Sequence, residues 1–596
     1  HKDFAANFFA NLTKAVEQYA RTGSNTFLSS KTRDAITFLE LLTTEYDVAT
    51  ANPPYTDSAD FGPELKEFIE DNYKKPYKFN TNLYATFIKR CHELTNADGK
   101  IAMIHPHTFM FIKTFEDVRK FMIDKCHIDS MVDFGLDRVN LFGPGILLDA
   151  TFYVLSKGEI GDKGLYFNLT TNLQEKYKKG KFLEALNDYV EGVLNDRIYT
   201  LEQPKLKIIK SWPFIYWISD EFREKFSISV VMDVAKVAEG LTSANNNRFL
   251  RFWWEINVDS ILSKWFPYAK GGEFNKYYGN MWVVINWNHD GSEVKNFRGA
   301  SVRNKDYYFK EGVTYSSSGS KGPSFRLLEE NSIFDSGARS IFYKEVGNTK
   351  FLLGVLNSKL SKYVIDCLNP TVNTTVGDIE RLPLISSSLD VDNAISNLVQ
   401  QNILIKKFIC ESSIVERDFR CSPLISFKSL RVNERLLDYF NFENHLLTQV
   451  LINEAIINEK IFELYELSKH DKAMVLATEG QSIGGLPVFA EARDAYLSET
   501  EATKEFPLDA IRDFINSLPT KEFTADEREA IESGFPSLYQ SNNDLEEFCI
   551  RHQVNPINVW YWFKQSNVIP KQRMNTLAME FLADMIREIL MEDEDG

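Results

Sequence analysis

Apolar positions over residues 1–160 alternate between helical and strand-like spacing. Residues 1–45 have helical spacing with a Gly-Ser-Asn break at 23–25, and therefore predict two helices. Further helices are predicted over 83–90 and 115–121. Short apolar runs predict strands at 46–49, 101–104, 128–133 and 150–155. This alternation predicts an α/β unit with a largely parallel sheet, whose last pair of strands is parallel or antiparallel.

The pattern changes twice after this unit. Residues 240–345 alternate aromatic and basic side chains, with short β-prone runs such as 281–286 between Gly and Asn turns. They predict a mixed α+β domain with protruding loops. Residues 386–596 are acidic and predict a helical domain, from the apolar spacing over 393–408, 446–467 and 577–590.

Composition and charge narrow the class of protein. A net charge of −16 argues against a protein that coats nucleic acid without specificity, although residues 231–345 are close to neutral and slightly positive. The six cysteines lie far apart, which favours free thiols in a reducing cytoplasm over disulfides or a zinc site. We find no signal peptide and no apolar run that spans a bilayer, and we predict a cytoplasmic protein without a membrane partner. The start at His1 indicates a processed product or the later part of a longer polypeptide.

The candidate chemistry centres on the loop Asn52-Pro53-Pro54-Tyr55, which follows the first predicted strand. Two prolines continue neither a strand nor a helix, so the loop is rigid and lies at a strand end, where ligands bind in open α/β sheets. Asn52 offers a side-chain carbonyl, Pro53 a backbone carbonyl, and Tyr55 a flat face for a planar base. These groups suit methyl transfer to an exocyclic amine, whose N–H bonds need two acceptors. For these four residues alone, an ordinary Pro-Pro turn is the alternative.

Several motifs together resemble one family. The Asn-Pro-Pro-Tyr loop, residues 99–106 and the glycine-rich loop leading to 149–155 resemble the catalytic half of adenine-N6 DNA methyltransferases. The likeness is greatest to the large PglX-type methyltransferases of BREX phage-defence systems and to their Type IIL restriction relatives. Residues 240–251, 265–280 and 356–383 are similar to the entry, central signature and exit of that family's target-recognition domain.

The resemblance implies a site-specific enzyme that transfers a methyl group from S-adenosyl-L-methionine to a flipped adenine in double-stranded DNA. Other BREX proteins are the implied partners. The family's cofactor-binding glycine motif and acidic residue precede the Asn-Pro-Pro-Tyr loop, and residues 1–45 offer no candidate for either. The chain as given is therefore expected to lack the cofactor-binding half. Asn82 stands where such enzymes often carry aspartate, and we assign it no role.

The predicted fold class is α/β, with four domains. Residues 1–45 are the helical segment of a Rossmann-like methyltransferase domain, and 46–205 are its catalytic half. Residues 206–385 form the mixed α+β target-recognition domain, and 386–596 the helical acidic C-terminal domain. An acidic helical domain suits a brace or a protein-docking surface better than a DNA contact.

The resemblance also assigns candidate residues. Asn52, Pro53, Pro54 and Tyr55 are the catalytic candidates. Phe142, on the glycine-flanked loop, is a candidate for the opposite wall of the base pocket, with a core phenylalanine as an equal alternative. His105 and His107 lack a partner carboxylate or cysteine cluster, so we predict structural roles and no metal site.

Polar residues of the mixed domain are candidate DNA contacts, because arginine and serine suit base edges and lysine suits phosphates. They are Arg248, Arg251, Lys270, Lys276, Arg298, Arg303, Lys305, Ser316 and Lys321. The tryptophans of the same stretch favour core positions. Two other functions stay open at this point. A non-catalytic DNA-specificity subunit fits a chain without a donor site. A protein-glutamine methyltransferase fits the catalytic loop but not the basic, aromatic second domain.

Overall fold

The computed structural model describes residues 2–22, 26–135, 150–158, 161–170, 175–503, 509–539 and 544–592. The chain divides into two compact units, residues 1–218 and 219–596. The predicted boundaries near residues 45, 205 and 385 stay predictions.

The described part of the first unit is built on one six-stranded mixed sheet. Its strands are β1 Tyr46–Ala51, β2 Thr95–Pro106, β3 His127–Asp133, β4 Ala150–Ser156, β5 Lys163–Asn168 and β6 Ile198–Glu202. Their order is β1-β2-β4-β3-β5-β6, with β1/β2 and β3/β5 parallel and β4 antiparallel to both of its neighbours. Strands β1, β2, β3 and β5 therefore share one direction, as predicted for the first three; β5 was not predicted. Strand β4 runs against them inside the sheet, and β6 runs against β5 at the edge.

The described helices of the first unit precede β1 or lie between the strands along the chain. They are α1 Lys2–Thr22, α2 Thr26–Thr43, α3 Pro63–Tyr73, α4 Leu83–Leu94, α5 Glu116–Lys125 and α6 Glu175–Glu191. Helix α4 packs against β1 and β2, and α5 packs against β3. The buried apolar face of α4 includes Ala85 and Ile88, each 0% exposed. The predicted helices over 83–90 and 115–121 are confirmed.

The strands described in the second unit form two four-stranded sheets, β13-β9-β10-β8 and β12-β11-β14-β7. They are β7 Ala235–Ala238, β8 Leu250–Phe252, β9 Trp265–Ala269, β10 Val283–Asn286, β11 Gly312–Ser316, β12 Phe325–Leu328, β13 Ile333–Phe334 and β14 Ala338–Tyr343. One apolar core joins both sheets and includes Tyr268, Trp287 and Phe334. The core position predicted for the tryptophans holds for Trp253 and Trp287, but Trp254 is 40% exposed.

Helices make up the rest of the second unit. They are α7 Asp220–Ile228, α8 Val231–Val234, α9 Asn246–Phe249, α10 Asn288–Lys295, α11 Thr349–Leu356, α12 Lys359–Leu368, α13 Val376–Glu380, α14 Leu389–Cys410, α15 Pro423–Ser426, α16 Val432–Leu464, α17 Lys469–Glu479, α18 Ala490–Thr503, α19 Asp509–Ser517, α20 Ala525–Glu532, α21 Asp544–His552, α22 Pro556–Ser566 and α23 Lys571–Glu592. The helices predicted over 393–408, 446–467 and 577–590 correspond to α14, α16 and α23. Within the described residues, no helix combines the length and the apolar content that crossing a bilayer requires.

Candidate active site and nucleic-acid interface

The catalytic loop begins where β1 ends, at the carboxyl edge of two parallel strands. Asn52 and Pro54 are exposed, Pro53 is buried, and Tyr55 is half-buried. The Tyr55 hydroxyl donates a hydrogen bond of 2.6 Å to the Asn52 Oδ1 atom. Burial raises the pKa of the Tyr55 phenol, which therefore stays a neutral donor at physiological pH. The structure thus brings together the acceptor and the aromatic face that the sequence predicts.

Asn82 holds this loop in place from the N-terminus of α4. Its Oδ1 atom accepts from the Tyr84 backbone N–H at 3.2 Å, which caps the helix. Its Nδ2 group donates to the Tyr55 carbonyl at 3.4 Å. The Leu83 N–H also donates to the Thr56 carbonyl at 3.0 Å. Sequence reasoning gave Asn82 no role, although an asparagine directly before an apolar helical run is a helix-start signal.

His105 and His107, at the end of β2, form hydrogen bonds with other residues of the first unit. His105 is fully buried, and its Nε2 atom lies 2.8 Å from the Tyr153 hydroxyl. Burial lowers the pKa of His105 to about 4, so its ring is neutral. The His107 Nδ1 atom lies 2.9 Å from Asp133 Oδ1. His107 therefore has a carboxylate partner, which the sequence did not predict, and the structural roles of both histidines stay predictions. No group of His, Cys, Asp and Glu able to hold a metal ion occurs in the part of the chain that the structure describes.

Phe142 lies within 136–149, outside the described residues. Its place in the base pocket therefore stays a prediction.

Five of the predicted DNA contacts are exposed: Arg248, Arg298, Arg303, Lys305 and Lys321. Arg303 pairs with Glu239 at 2.7 Å, and Lys305 with Asp290 at 2.6 Å. The Arg248 guanidinium is 3.9 Å from Glu293. Exposed ion pairs contribute little stability, so a DNA phosphate can compete for these cations. Arg298 has no ion pair with any described residue.

The other predicted contacts take part in local bonds. Arg251 donates to the backbone carbonyls of Asn247 and Leu250, each at 2.7 Å. Lys270 pairs with Asp335 at 3.1 Å. Ser316 donates to the Gly272 carbonyl at 3.1 Å.

Two of the predicted contacts pair with helix α21. Lys321 pairs with Glu547. Lys276 lies between Glu454 and Glu546, at 3.0 and 3.2 Å, and its side chain is 18% exposed. Burial opposes the charge of Lys276, but the two carboxylates raise its pKa above the ordinary value. This ion triad gives Lys276 a structural role that competes with its predicted DNA contact.

Comparisons with known proteins show which sequences and structures this chain resembles. The Eco57I restriction-modification methylase family model matches residues 3–142. Adenine-specific methyltransferase BrxX of Escherichia coli O9:H4 (strain HS) is 28% identical over 435 residues, which are 71% of this chain and 34% of that protein. Adenine-specific methyltransferase PglX of Lacticaseibacillus casei (strain Zhang) is 30% identical over 373 residues, 59% of this chain and 30% of that protein.

The chain therefore spans about a third of the length of these curated relatives. A solved structure of the Type IIL restriction-modification enzyme MmeI in complex with DNA is also similar, with a TM-score of 0.44 and 10% identity over 76% of this chain and 57% of that one. The resemblance predicted from the motifs is confirmed: by sequence, the chain is homologous to the adenine-specific methyltransferases BrxX and PglX.

Proposed function

We propose that this chain is the catalytic-loop and target-recognition part of a site-specific adenine-N6 DNA methyltransferase. The observation that carries the proposal is the Asn52–Tyr55 pair at the carboxyl end of β1. The relationship to BrxX and PglX supports the reaction. Action in the cytoplasm, in phage defence with other BREX proteins, is part of the same proposal.

In this proposal, Asn52 and Pro53 hold the amine of a flipped adenine. The Asn52 Oδ1 atom replaces its bond from Tyr55 with one from the amine, and the Pro53 carbonyl accepts the second N–H. The amine nitrogen forms its new bond to the methyl carbon as the bond from that carbon to the donor sulfur breaks, and it is positively charged until it releases one N–H proton. Two fixed acceptors stabilise that charge more than they stabilise the neutral amine. The ring of Tyr55 stacks on the base and fixes its plane.

S-adenosyl-L-methionine is the proposed methyl donor, and it supplies the electrophilic methyl group. We propose that the described residues hold only part of its site. Helices α1 and α2 precede β1, whereas a nucleotide-type cofactor binds at a glycine-rich turn between a strand and a helix. We therefore assign the donor-binding half to chain outside the residues described here, which agrees with the length of the relatives.

Methyl transfer is the direct test. The full-length native polypeptide is incubated with S-adenosyl-L-methionine labelled in its methyl group and with duplex DNA, and the modified base is identified after digestion. Label on the N6 atom of adenine at one sequence context supports the proposal. Specific duplex binding without donor binding would support a DNA-specificity subunit instead. Label on a peptide glutamine would support the protein-modifying alternative.

We also propose that the exposed cations of the mixed domain bind duplex DNA. Arg298→Ala is expected to weaken binding of the cognate duplex by about 1 kcal/mol or more, because no described carboxylate shares this guanidinium. Titrations at several salt concentrations measure the effect. A phosphate contact lowers the salt slope by about 0.9 for all sequences, whereas a base contact affects mainly the cognate site.

Lys428→Ala is the matched control for Arg298→Ala. Lys428 is an exposed lysine of the helical part and is not a predicted DNA contact. Equal DNA affinity in wild type and Arg298→Ala would remove Arg298 from the interface. Equal losses in both variants would show a general charge effect.

A further inference from the structure

A cavity of about 760 Å³ lies inside the second unit, between the loops of the small sheets and three helices. The helical wall includes Lys406 of α14, Glu443 of α16, and Arg573 and Glu580 of α23. The described residues that line the cavity include none of the catalytic candidates and none of the predicted DNA contacts. The volume is within the range of small-molecule sites, roughly 300–1,000 Å³.

The buried charge of Lys406 favours ligand binding in this cavity. The residue is only 9% exposed, and none of the described residues accepts a hydrogen bond from its ammonium or forms an ion pair with it. Burial lowers the pKa of Lys406. The negative charges of Glu416, Glu443 and Glu454 oppose this shift without forming a hydrogen bond to the ammonium. Lys406 also lines a small adjacent cavity, with Lys276 and Glu454. Buried lysines are rare without a partner. A bound ligand would supply the hydrogen-bond acceptor that this ammonium lacks.

Three residues that line the same cavity, Asn275, Glu443 and Glu580, carry unpaired acceptor atoms. Glu443 is 5% exposed and Asn275 is 3% exposed, and the Glu443 Oε2 and Asn275 Oδ1 atoms are buried without a hydrogen-bond partner. The other Glu443 oxygen is occupied, since it accepts from Tyr439 at 2.9 Å and from Arg573 at 3.1 Å. The Glu580 Oε2 atom is unpaired as well. The cavity therefore needs a ligand that carries N–H or O–H donors in addition to an acceptor.

Part of the cavity lining is aromatic. Phe252 and Trp254 stack face to face, with ring centroids 4.7 Å apart and planes 3° from parallel. They remain 45% and 40% exposed, respectively. Trp282 lines the same cavity. Exposed, ordered aromatic rings beside buried polar atoms are suited to a flat ligand.

We propose that this cavity binds a purine base or nucleoside. The ring stacks on the aromatic wall, a ring nitrogen or carbonyl oxygen accepts from Lys406, and ring N–H or amino groups donate to Glu443 and Asn275. This assignment uses both the unpaired donor and the unpaired acceptors. A simple aliphatic amine would leave Lys406 without an acceptor. A simple anion would meet an excess of carboxylates, because the described lining residues include Glu273, Glu416, Glu443 and Glu580 but only two cationic side chains.

Equilibrium dialysis of the full-length native polypeptide with labelled adenosine and guanosine tests the proposal. Lys406→Met leaves the proposed donor site and the catalytic loop unchanged, so the comparison with that variant separates the cavity from them, and failure of the methyltransferase proposal does not affect the result. We expect saturable binding of at least one purine nucleoside and none of ribose. Absence of binding, or equal binding of ribose, would overturn the proposal.

Lys406→Met assigns the binding to this cavity. The methionine keeps the length of the side chain but removes the donor, so nucleoside affinity is expected to fall at least tenfold. Its Tm is expected to equal or exceed that of wild type, because the variant removes an unpaired buried charge. Trp254→Ala is expected to weaken binding through the aromatic wall. Lys428→Met, at an exposed lysine outside the cavity, is expected to bind as wild type does. Unchanged affinity in Lys406→Met would refute the assignment.

Competition identifies the source of the base. A single-stranded oligonucleotide with an unpaired purine is compared with the same oligonucleotide abasic at that position. Displacement of the nucleoside only by the purine-bearing strand shows that the cavity takes a base from bound nucleic acid. Displacement by neither strand shows that it takes a free nucleoside. Equal displacement by both strands would mean that nucleic acid binds without using the cavity for its base, and would overturn the first source.

Discussion

Asn52→Ala is expected to lower the rate of methyl transfer to duplex DNA at least about a hundredfold, with DNA affinity nearly unchanged. Removal of one fixed acceptor at a position where charge develops typically has an effect of about 10²–10³ on the rate. The DNA contacts proposed here lie in the mixed domain, so they are not altered by this change. Single-turnover transfer of labelled methyl groups measures the rate, and filter binding measures the affinity.

Two variants of Tyr55 separate the contributions within the loop. Tyr55→Phe keeps the flat face and removes only the hydroxyl that donates to Asn52 Oδ1. We expect it to retain most of the activity, because the substrate amine replaces that hydroxyl in the proposed complex. Tyr55→Ala also removes the stacking face and is expected to lose much more. An active Asn52→Ala enzyme would show that the loop has another role.

The catalytic loop could be predicted from the sequence because its chemistry is local. Asn52 and Tyr55 are three residues apart, and the prolines between them restrict the backbone wherever the loop occurs. The alternation of strands and helices likewise predicts a sheet with shared direction. A strand's side-chain pattern is the same in either direction, however, so it did not show that β4 runs against β2 and β3.

Lys276 shows what the sequence could not reveal. Its partners Glu454 and Glu546 follow it by 178 and 270 residues, and no local pattern links these positions. Within this run of basic and aromatic residues, the sequence does not distinguish Lys276 from the other basic residues. Only the packing of the mixed domain against α16 and α21 distinguishes it. Strands β5 and β6 were missed for a related reason, since short segments with alternating polar residues depend on sheet neighbours for their conformation.

Asp378 belongs to the motif that resembles the exit of the target-recognition domain, and its contacts are structural. It is 1% exposed, and its Oδ1 atom accepts from the Arg381 guanidinium at 2.9 Å. Its Oδ2 atom accepts from the Asn369 amide and from the Thr375 N–H and hydroxyl, each at 2.7 Å. Arg381 is 2% exposed and also donates to the Gly377 and Leu368 carbonyls, at 2.9 and 3.3 Å. One carboxylate thus ties the end of α12 to α13.

Asp378→Asn is therefore expected to reduce the free energy of unfolding of the second unit by about 3–5 kcal/mol. The substitution preserves the shape of the side chain but removes the carboxylate charge that pairs with the buried Arg381 guanidinium. It also points an amide N–H₂ group at donors that need an acceptor. The midpoint of urea-induced unfolding, monitored for this unit, measures the change. Asp306→Asn, at an exposed carboxylate, is the matched control and is expected to change stability by less than about 0.5 kcal/mol. Equal midpoints in the two variants would mean that the Asp378–Arg381 pair does not stabilise the fold, and the motif would then need a role outside folding.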